Sequence, residues 1–229
     1  MSIAEKLAQI AENEQKVYNA GYEKGKVEGG SQGFDPWYYV RSSQTTFMGV
    51  TFPENTSLVF RFQAVPNLSE YSMYQTFKDC SGLKSIKIIS DDLDTSWTAN
   101  QTFYGSKDLE VIDLTECSRN IKGSFQHTFN TVKLKSILGA LDISQITYVN
   151  SPFSGPALED VEFVPNSIKM SISFRSGNLT MASVESIING LADLTGDTSQ
   201  TLGLDLWGKN LTDDQKARIT AKNWTYTHW

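Results

Sequence analysis

The chain has 229 residues, 39% of them hydrophobic and 20% charged, with a net charge of −6 and no basic block. This composition supplies a core and excludes a disordered polyelectrolyte. It disfavours nucleic-acid binding, which needs clustered positive charge to displace counterions. Two cysteines, Cys80 and Cys117, are too few for a disulfide framework, and with His127 and His228 they make no zinc-type spacing. Two free, partly buried thiols are expected. No run approaches the ~18 apolar residues of a membrane helix. The N-terminus lacks the apolar stretch of a secretory signal, so synthesis in the cytoplasm is expected.

Residues 2–28 predict a helix. Ser2 and Glu5 fit a capping box, and Ile3, Leu7, Ile10, Glu14 and Val17 follow the 4-3-4-3 spacing of a coiled-coil seam. A seam of about two heptads is marginal alone. Ile3, Leu7, Ile10 and Val17 are therefore the expected contacts of a dimer or trimer, or of docking onto another protein. Gly29-Gly30-Ser31-Gln32-Gly33 reads as a linker. Beyond it, residues 37–40 predict an aromatic strand, residues 51–55 a turn and residues 58–62 a strand. Phe60 and Phe62 share one face of that last strand, with Arg61 on the other.

A repeat follows. Phe77, Phe103, Phe129 and Phe153 are spaced 26, 26 and 24 residues apart, each followed by a leucine (Leu83, Leu109, Leu134, Leu158). Three residues further on stand Ile86, Ile112, Ile137 and Val161. A fixed period of this size marks coils that stack to bury what one coil cannot bury alone. Strands are predicted at 85–89, 111–114, 136–139 and 161–164, with weaker ones at 145–150 and 168–174. After Gly177-Asn178 the pattern becomes helix, strand, helix, strand. The first helix starts at Thr180. The second is capped by Thr212 with Gln215 as its partner.

Residues 75–88, Gln-Thr-Phe-Lys-Asp-Cys-Ser-Gly-Leu-Lys-Ser-Ile-Lys-Ile, resemble the BspA-like leucine-rich repeat of bacterial surface and phage proteins, A-F-x-x-C-x-x-L-x-x-I-x-I. The coil at Phe77 matches in full, and it alone carries the cysteine. The opening 26 residues and residues 183–225 are similar to the ends of phage and prophage structural proteins of Gram-positive hosts. The resemblance implies an α+β repeat fold. Residues 1–30 would form an N-terminal coiled-coil helix, and 31–57 a linker and N-terminal cap. Residues 58–178 would form a leucine-rich-repeat solenoid of parallel strands, and 179–229 an α/β capping module.

No catalytic set stands out. His127 occupies the repeat position of Gln75 and Gln101, and Asp91-Asp92-Leu93-Asp94 lacks the glycine and terminal glutamate of a calcium loop. No metal or cofactor is expected, and the chain is read as a non-enzyme. Alternation along the strands puts Arg61, Lys87, Asp113, Leu138 and Glu162 on an outward column, basic at one end and acidic at the other. Arg61, Lys87, Asp113 and Glu162 are candidate binding residues on that column. Trp97, in a polar stretch, is the best candidate for an exposed aromatic platform, although packing in caps and corners is the commoner role of such rings. Trp37, Tyr38, Tyr39, Tyr71, Tyr74 and Tyr104 are further aromatic candidates.

The implied role is a virion tail, baseplate or fibre protein that docks through its N-terminal helix and contacts the host surface. Other phage structural proteins and a host cell-surface polysaccharide or protein are the expected partners, without nucleic acid or membrane insertion. A virion decoration subunit and a bacterial surface adhesin are the alternatives.

Overall fold

The computed structural model describes residues 37–40, 47–62, 70–90, 96–118, 120–131, 133–155, 157–175, 178–205 and 210–227. The expected α+β class, a coiled-coil helix followed by a leucine-rich-repeat solenoid, is corrected. The described residues form mostly parallel β-sheet, with only two short helices near the C-terminus. The physical reason is that most circuits of chain contribute two strands, one to each of two sheets, and leave no room for a helix. The seam at Ile3, Leu7, Ile10 and Val17 lies outside the described residues, as does the Asp91–Asp94 stretch.

The first sheet runs β1 (Trp37–Val40), β2 (Thr51–Phe62), β4 (Ser81–Ser90), β6 (Val111–Glu116) and β8 (Ser136–Leu138). The second runs β3 (Glu70–Ser72), β5 (Ser96–Thr98), β7 (Asn120–Gln126) and β9 (Asp142–Asn150). Every pairing in both is parallel. The chain passes from the first sheet to the second, then through a phenylalanine-bearing turn back to the first. Ile86, Ile112 and Ile137 stand opposite one another on successive strands and are buried.

The repeat phenylalanines stack from circuit to circuit. Phe77–Phe103, Phe103–Phe129 and Phe129–Phe153 ring centroids lie 5.7, 5.8 and 5.5 Å apart, with planes within 16° of parallel. Phe47 extends the column at one end, 5.3 Å from Phe77, and Phe174 at the other, 4.8 Å from Phe153. The turns that carry these rings also pair. The Gln75, Phe77 and Asp79 N–H groups donate to the Asn100, Thr102 and Tyr104 carbonyls, and the pattern repeats one circuit on. Threonine hydroxyls reinforce it: Thr102 Oγ1 donates to the Met73 carbonyl at 2.9 Å and Thr128 Oγ1 to the Ala99 carbonyl at 2.5 Å.

Three elements differ from the sequence expectation. Residues 51–55 belong to β2, which carries a bulge with Asn55 at φ 64°. The bulge offsets the strand, so Leu58, not Phe60, stands opposite Ile86, and Phe60 faces Ile88. Residues 161–164 form no strand, only isolated bridges at Asp160 and Phe163. Here the Val161 N–H donates to Ser183 Oγ and the Phe163 N–H to Ser186 Oγ, both on the helix that follows. Helix hydroxyls take the place of a neighbouring strand's carbonyls and satisfy these donors.

That helix, α1 (Met181–Gly190), is capped by Thr180, whose side chain accepts from the Ser183 N–H. It buries Val184, Ile187 and Ile188. α2 (Asp213–Ala221) carries the expected capping box between Thr212 and Gln215. Between and after the helices, β11 (Gln200–Leu204) and β12 (Trp224–Thr227) join β10 (Ile172–Phe174) in a third parallel sheet. Lys222 Nζ donates to the Ile188, Asn189 and Leu191 carbonyls at 3.2, 3.3 and 2.6 Å, closing the C-terminal end of α1.

Two glycines share a left-handed backbone but not their surroundings. At Gly82 (φ 75°) a Cβ would lie 2.1 Å from the Phe52 carbonyl oxygen, whereas at Gly49 (φ 73°) it would meet open space. Both alanine variants carry the left-handed penalty of about 1–2 kcal/mol. Gly82→Ala must also displace backbone, adding about 1–3 kcal/mol. Chemical denaturation should therefore rank Gly82→Ala well below Gly49→Ala in stability.

Candidate binding surfaces

The outward column exists in altered form. The β4–β6–β8 register sets Lys87 opposite Asp113 and Asp113 opposite Leu138. Lys87 Nζ lies 3.9 Å from an Asp113 carboxylate oxygen and also pairs with Glu116. Asp113 is further fixed by accepting from the Thr115 N–H and hydroxyl. Leu138 is 41% exposed and Glu162 is exposed. Because of the β2 bulge, Arg61 stands opposite Ile89 and Val59 takes the place opposite Lys87. Arg61 is thus shifted out of the row of Lys87 and Asp113 into the row of Ile89 and Glu116.

Trp97 requires a second correction. It is 1% exposed on β5, and its indole N–H donates to the Ser118 carbonyl at 2.9 Å. A ring enclosed between sheets offers no platform. The polar residues before it suggested a loop, but the side chain turns inward beside Ile121, its β7 partner. Among the other aromatic candidates, Tyr74 and Tyr104 are 52% and 38% exposed.

At the turn corner, side chains of successive circuits contact one another. Gln75, Gln101, His127 and Ser151 occupy one repeat position and share left-handed backbones, with φ of 55°, 55°, 48° and 46°. Such non-glycine residues are uncommon. The Gln75 amide donates to Gln101 Oε1 at 2.8 Å. The His127 ring lies 5.4 Å from the Tyr104 ring, and its Nδ1 is 3.4 Å from the Asn130 amide nitrogen. Lys78 Nζ sits 5.7 Å from the Tyr104 ring centroid and 3.8 Å from the Asp79 carboxylate. No signal in the sequence distinguished this row beyond the repeat position of His127.

An open groove of about 430 Å³ lies beside the β2 bulge, lined by Glu54, Lys84, Lys107, Asp108, Glu110 and Lys133 among others. Asp108 accepts from the Gly82 N–H and pairs with Lys133, which together hold its carboxyl below the usual range. Glu110 pairs with Lys135 at 3.3 Å. These carboxylates are engaged by cations and a backbone donor, and are not poised as an acid and base. Among the described residues no group of three or more His, Cys, Asp or Glu is placed to hold a metal ion. No helix among them is long and apolar enough to cross a membrane.

No protein-family model matches the chain, and neither the curated proteins nor the solved structures give a match. Function therefore has to be argued from these surfaces and from the sequence resemblance.

Both cysteines are free and buried. Burial raises the Cys80 thiol to about 11 and the Cys117 thiol to about 12. Thiolate is the reactive form, so neither should react with a thiol-disulfide reagent at pH 8 in the folded protein. Two thiols per chain should titrate after denaturation.

The two helices are tied by one carboxylate. Glu185 of α1 accepts from the Gln215 amide at 2.7 Å and pairs with Arg218 of α2 at 2.7 Å. Gln215 and then Arg218 hold its carboxyl below the ordinary 4.5. Because the folded value is depressed, the stabilisation is fully present above the unfolded value and is lost as pH falls through the folded one. The side chain is 37% exposed, so screening limits the effect to about 1 kcal/mol or less. Below about pH 4.5 the melting temperature of the native chain should fall more steeply than that of Glu185→Gln.

Proposed function

We propose that this chain is a non-enzymatic docking and adhesion protein of a phage virion, a tail, baseplate or fibre subunit of a phage with a Gram-positive host. The observation that carries the reading is the outward face of the first sheet. Lys87, Asp113 and Leu138 are presented in register on paired strands, with Glu116 paired to Lys87 across a register shift and Glu162 exposed on the next turn of chain. Regular, outward side chains on stacked repeats form extended binding surfaces. The phage assignment rests on the resemblance of residues 75–88 and of the two ends to phage and bacterial surface proteins. In this reading residues 1–30 attach the protein to copies of itself or to another virion protein, and the β-stack faces the host. Several copies on one particle raise weak single-site binding by avidity.

The full chain, displayed in many copies on beads, should be retained by Gram-positive cell walls. Lys87→Ala with Asp113→Ala should weaken retention about tenfold, equivalent to 1.4 kcal/mol, with little change in melting because exposed pairs contribute about 1 kcal/mol or less. Retention unchanged by the double substitution removes the strip as the contact. No retention at any display density favours a decoration subunit that binds only other virion proteins.

A further inference from the structure

We infer that the turn corner carrying Gln101, Tyr104, His127 and Asn130 is a binding site for an uncharged polysaccharide. This site is separate from the charged strip and stands whether or not the strip binds anything. Four observations carry it.

The first is order. Exposed side chains on a surface normally lose rotamer freedom when they bind. Here they are already held by each other: Gln101 accepts from Gln75, His127 lies against Tyr104, and Asn130 contacts His127 Nδ1. Left-handed backbones at Gln101 and His127 set these side chains at the corner. Residues kept in such conformations concentrate at binding sites, where the surrounding structure sustains the strain.

The second is the supply of polar groups. Among the described residues, the Gln101 side-chain nitrogen and the Tyr104 hydroxyl make no hydrogen bond to protein. His127 and Asn130 each spend one side-chain atom on the other and keep the second. Donors and acceptors of both kinds are therefore left unused on partly exposed side chains of one corner, which suits the mixed donor and acceptor hydroxyls of a sugar.

The third is the apolar component. Tyr104 is 38% exposed, with the His127 ring tilted 49° beside it. Sugar C–H faces rest on such ring surfaces, while the hydroxyls at the ring edge reach the amides. The fourth is charge. Lys78, at the Tyr104 ring, is matched by Asp79. The corner thus lacks the unpaired arginine or lysine cluster that an anionic polymer requires.

The test is native gel electrophoresis of the full chain in gels cast with a neutral glucan, galactan, mannan or rhamnan, beside gels with polyglycerol phosphate. At least one neutral polymer should retard the protein, and polyglycerol phosphate should not. Tyr104→Ala should weaken retardation about tenfold, and Gln101→Ala with His127→Ala should do so independently. Met181→Ala, which removes a 46%-exposed side chain on α1, away from this corner, should leave it unchanged. Melting curves of each variant separate lost binding from lost folding, and the two corner variants provide separate routes if one is unstable. Retardation by none of the neutral polymers, by polyglycerol phosphate alone, or undiminished in a folded corner variant would overturn the site. None of these outcomes depends on Lys87 or Asp113, so the adhesion reading of the charged strip is judged separately.

Discussion

The stacked phenylalanine column is the contact on which the rest of the molecule depends. From Phe47 through Phe77, Phe103, Phe129 and Phe153 to Phe174, consecutive rings lie 4.8–5.8 Å apart with planes within 19° of parallel. Burying one such side chain stabilises by about 1.5–3 kcal/mol, and a ring pair adds about 0.5–1.5 kcal/mol. Neither gain exists for a circuit on its own, because the second ring belongs to its neighbour. Stability is therefore shared between adjacent circuits, and each ring fixes the height at which the next circuit sits. Once that height is fixed, backbone groups of the turns and of both sheets fall within hydrogen-bonding distance without further adjustment.

The costs of this arrangement are met locally. Turning the chain sharply two residues before each ring puts Gln75, Gln101, His127 and Ser151 in the left-handed region, at about 1 kcal/mol or more each. The same turn aims alternate N–H groups along the stack, where carbonyls of the next circuit accept them. Buried hydroxyls of Thr102 and Thr128 add a second donor to the Met73 and Ala99 carbonyls, which also accept from the Thr76 and Thr102 N–H groups. At the C-terminal end the pattern changes because the stack must stop. Ser183 and Ser186 of α1 take over N–H groups of the final turn, and Lys222 occupies the carbonyls that α1 leaves open. A parallel edge that would otherwise template further chains is thereby covered by helix.

What was legible in the sequence follows the same division. The strands predicted at 85–89, 111–114 and 136–139 fall on β4, β6 and β8, because a strictly recurring Phe, Leu and Ile pattern encodes them, although β4 starts four residues earlier and β6 runs two residues further. The capping residues Thr180 and Thr212 were legible for the same local reason. Features set by a neighbouring circuit were not. Trp97 sits among polar residues and is buried by contacts with chain more than twenty residues away, ending on the Ser118 carbonyl. The β2 bulge at Asn55 shifts a strand by two residues, which subtraction of repeat lengths does not reveal. Residues 161–164 have the composition of a strand, but serines on a later helix take their donors. The outward column could be placed by alternation within β4, β6 and β8, and it failed only at Arg61, across the bulge.

That failure bears on what the surface can recognise. Val59 stands opposite Lys87, and Arg61 moves to the row of Ile89 and Glu116. Lys87 is shared between Asp113 and Glu116, and Leu138 is the apolar point of the strip. The strip is thus a face of paired charges around one apolar point. The turn corner has the opposite character, neutral and mixed in donors and acceptors. The two surfaces arise from one constraint. Rings facing inward set the phase of the chain, and the phase assigns each remaining position to a sheet face or to a corner. Sheet faces alternate strictly and collect paired charges across strands. Corners hold side chains in backbone states that only a few residue types tolerate, and there the chain places amides, a histidine and a tyrosine. One fold thus presents two surfaces of different chemistry.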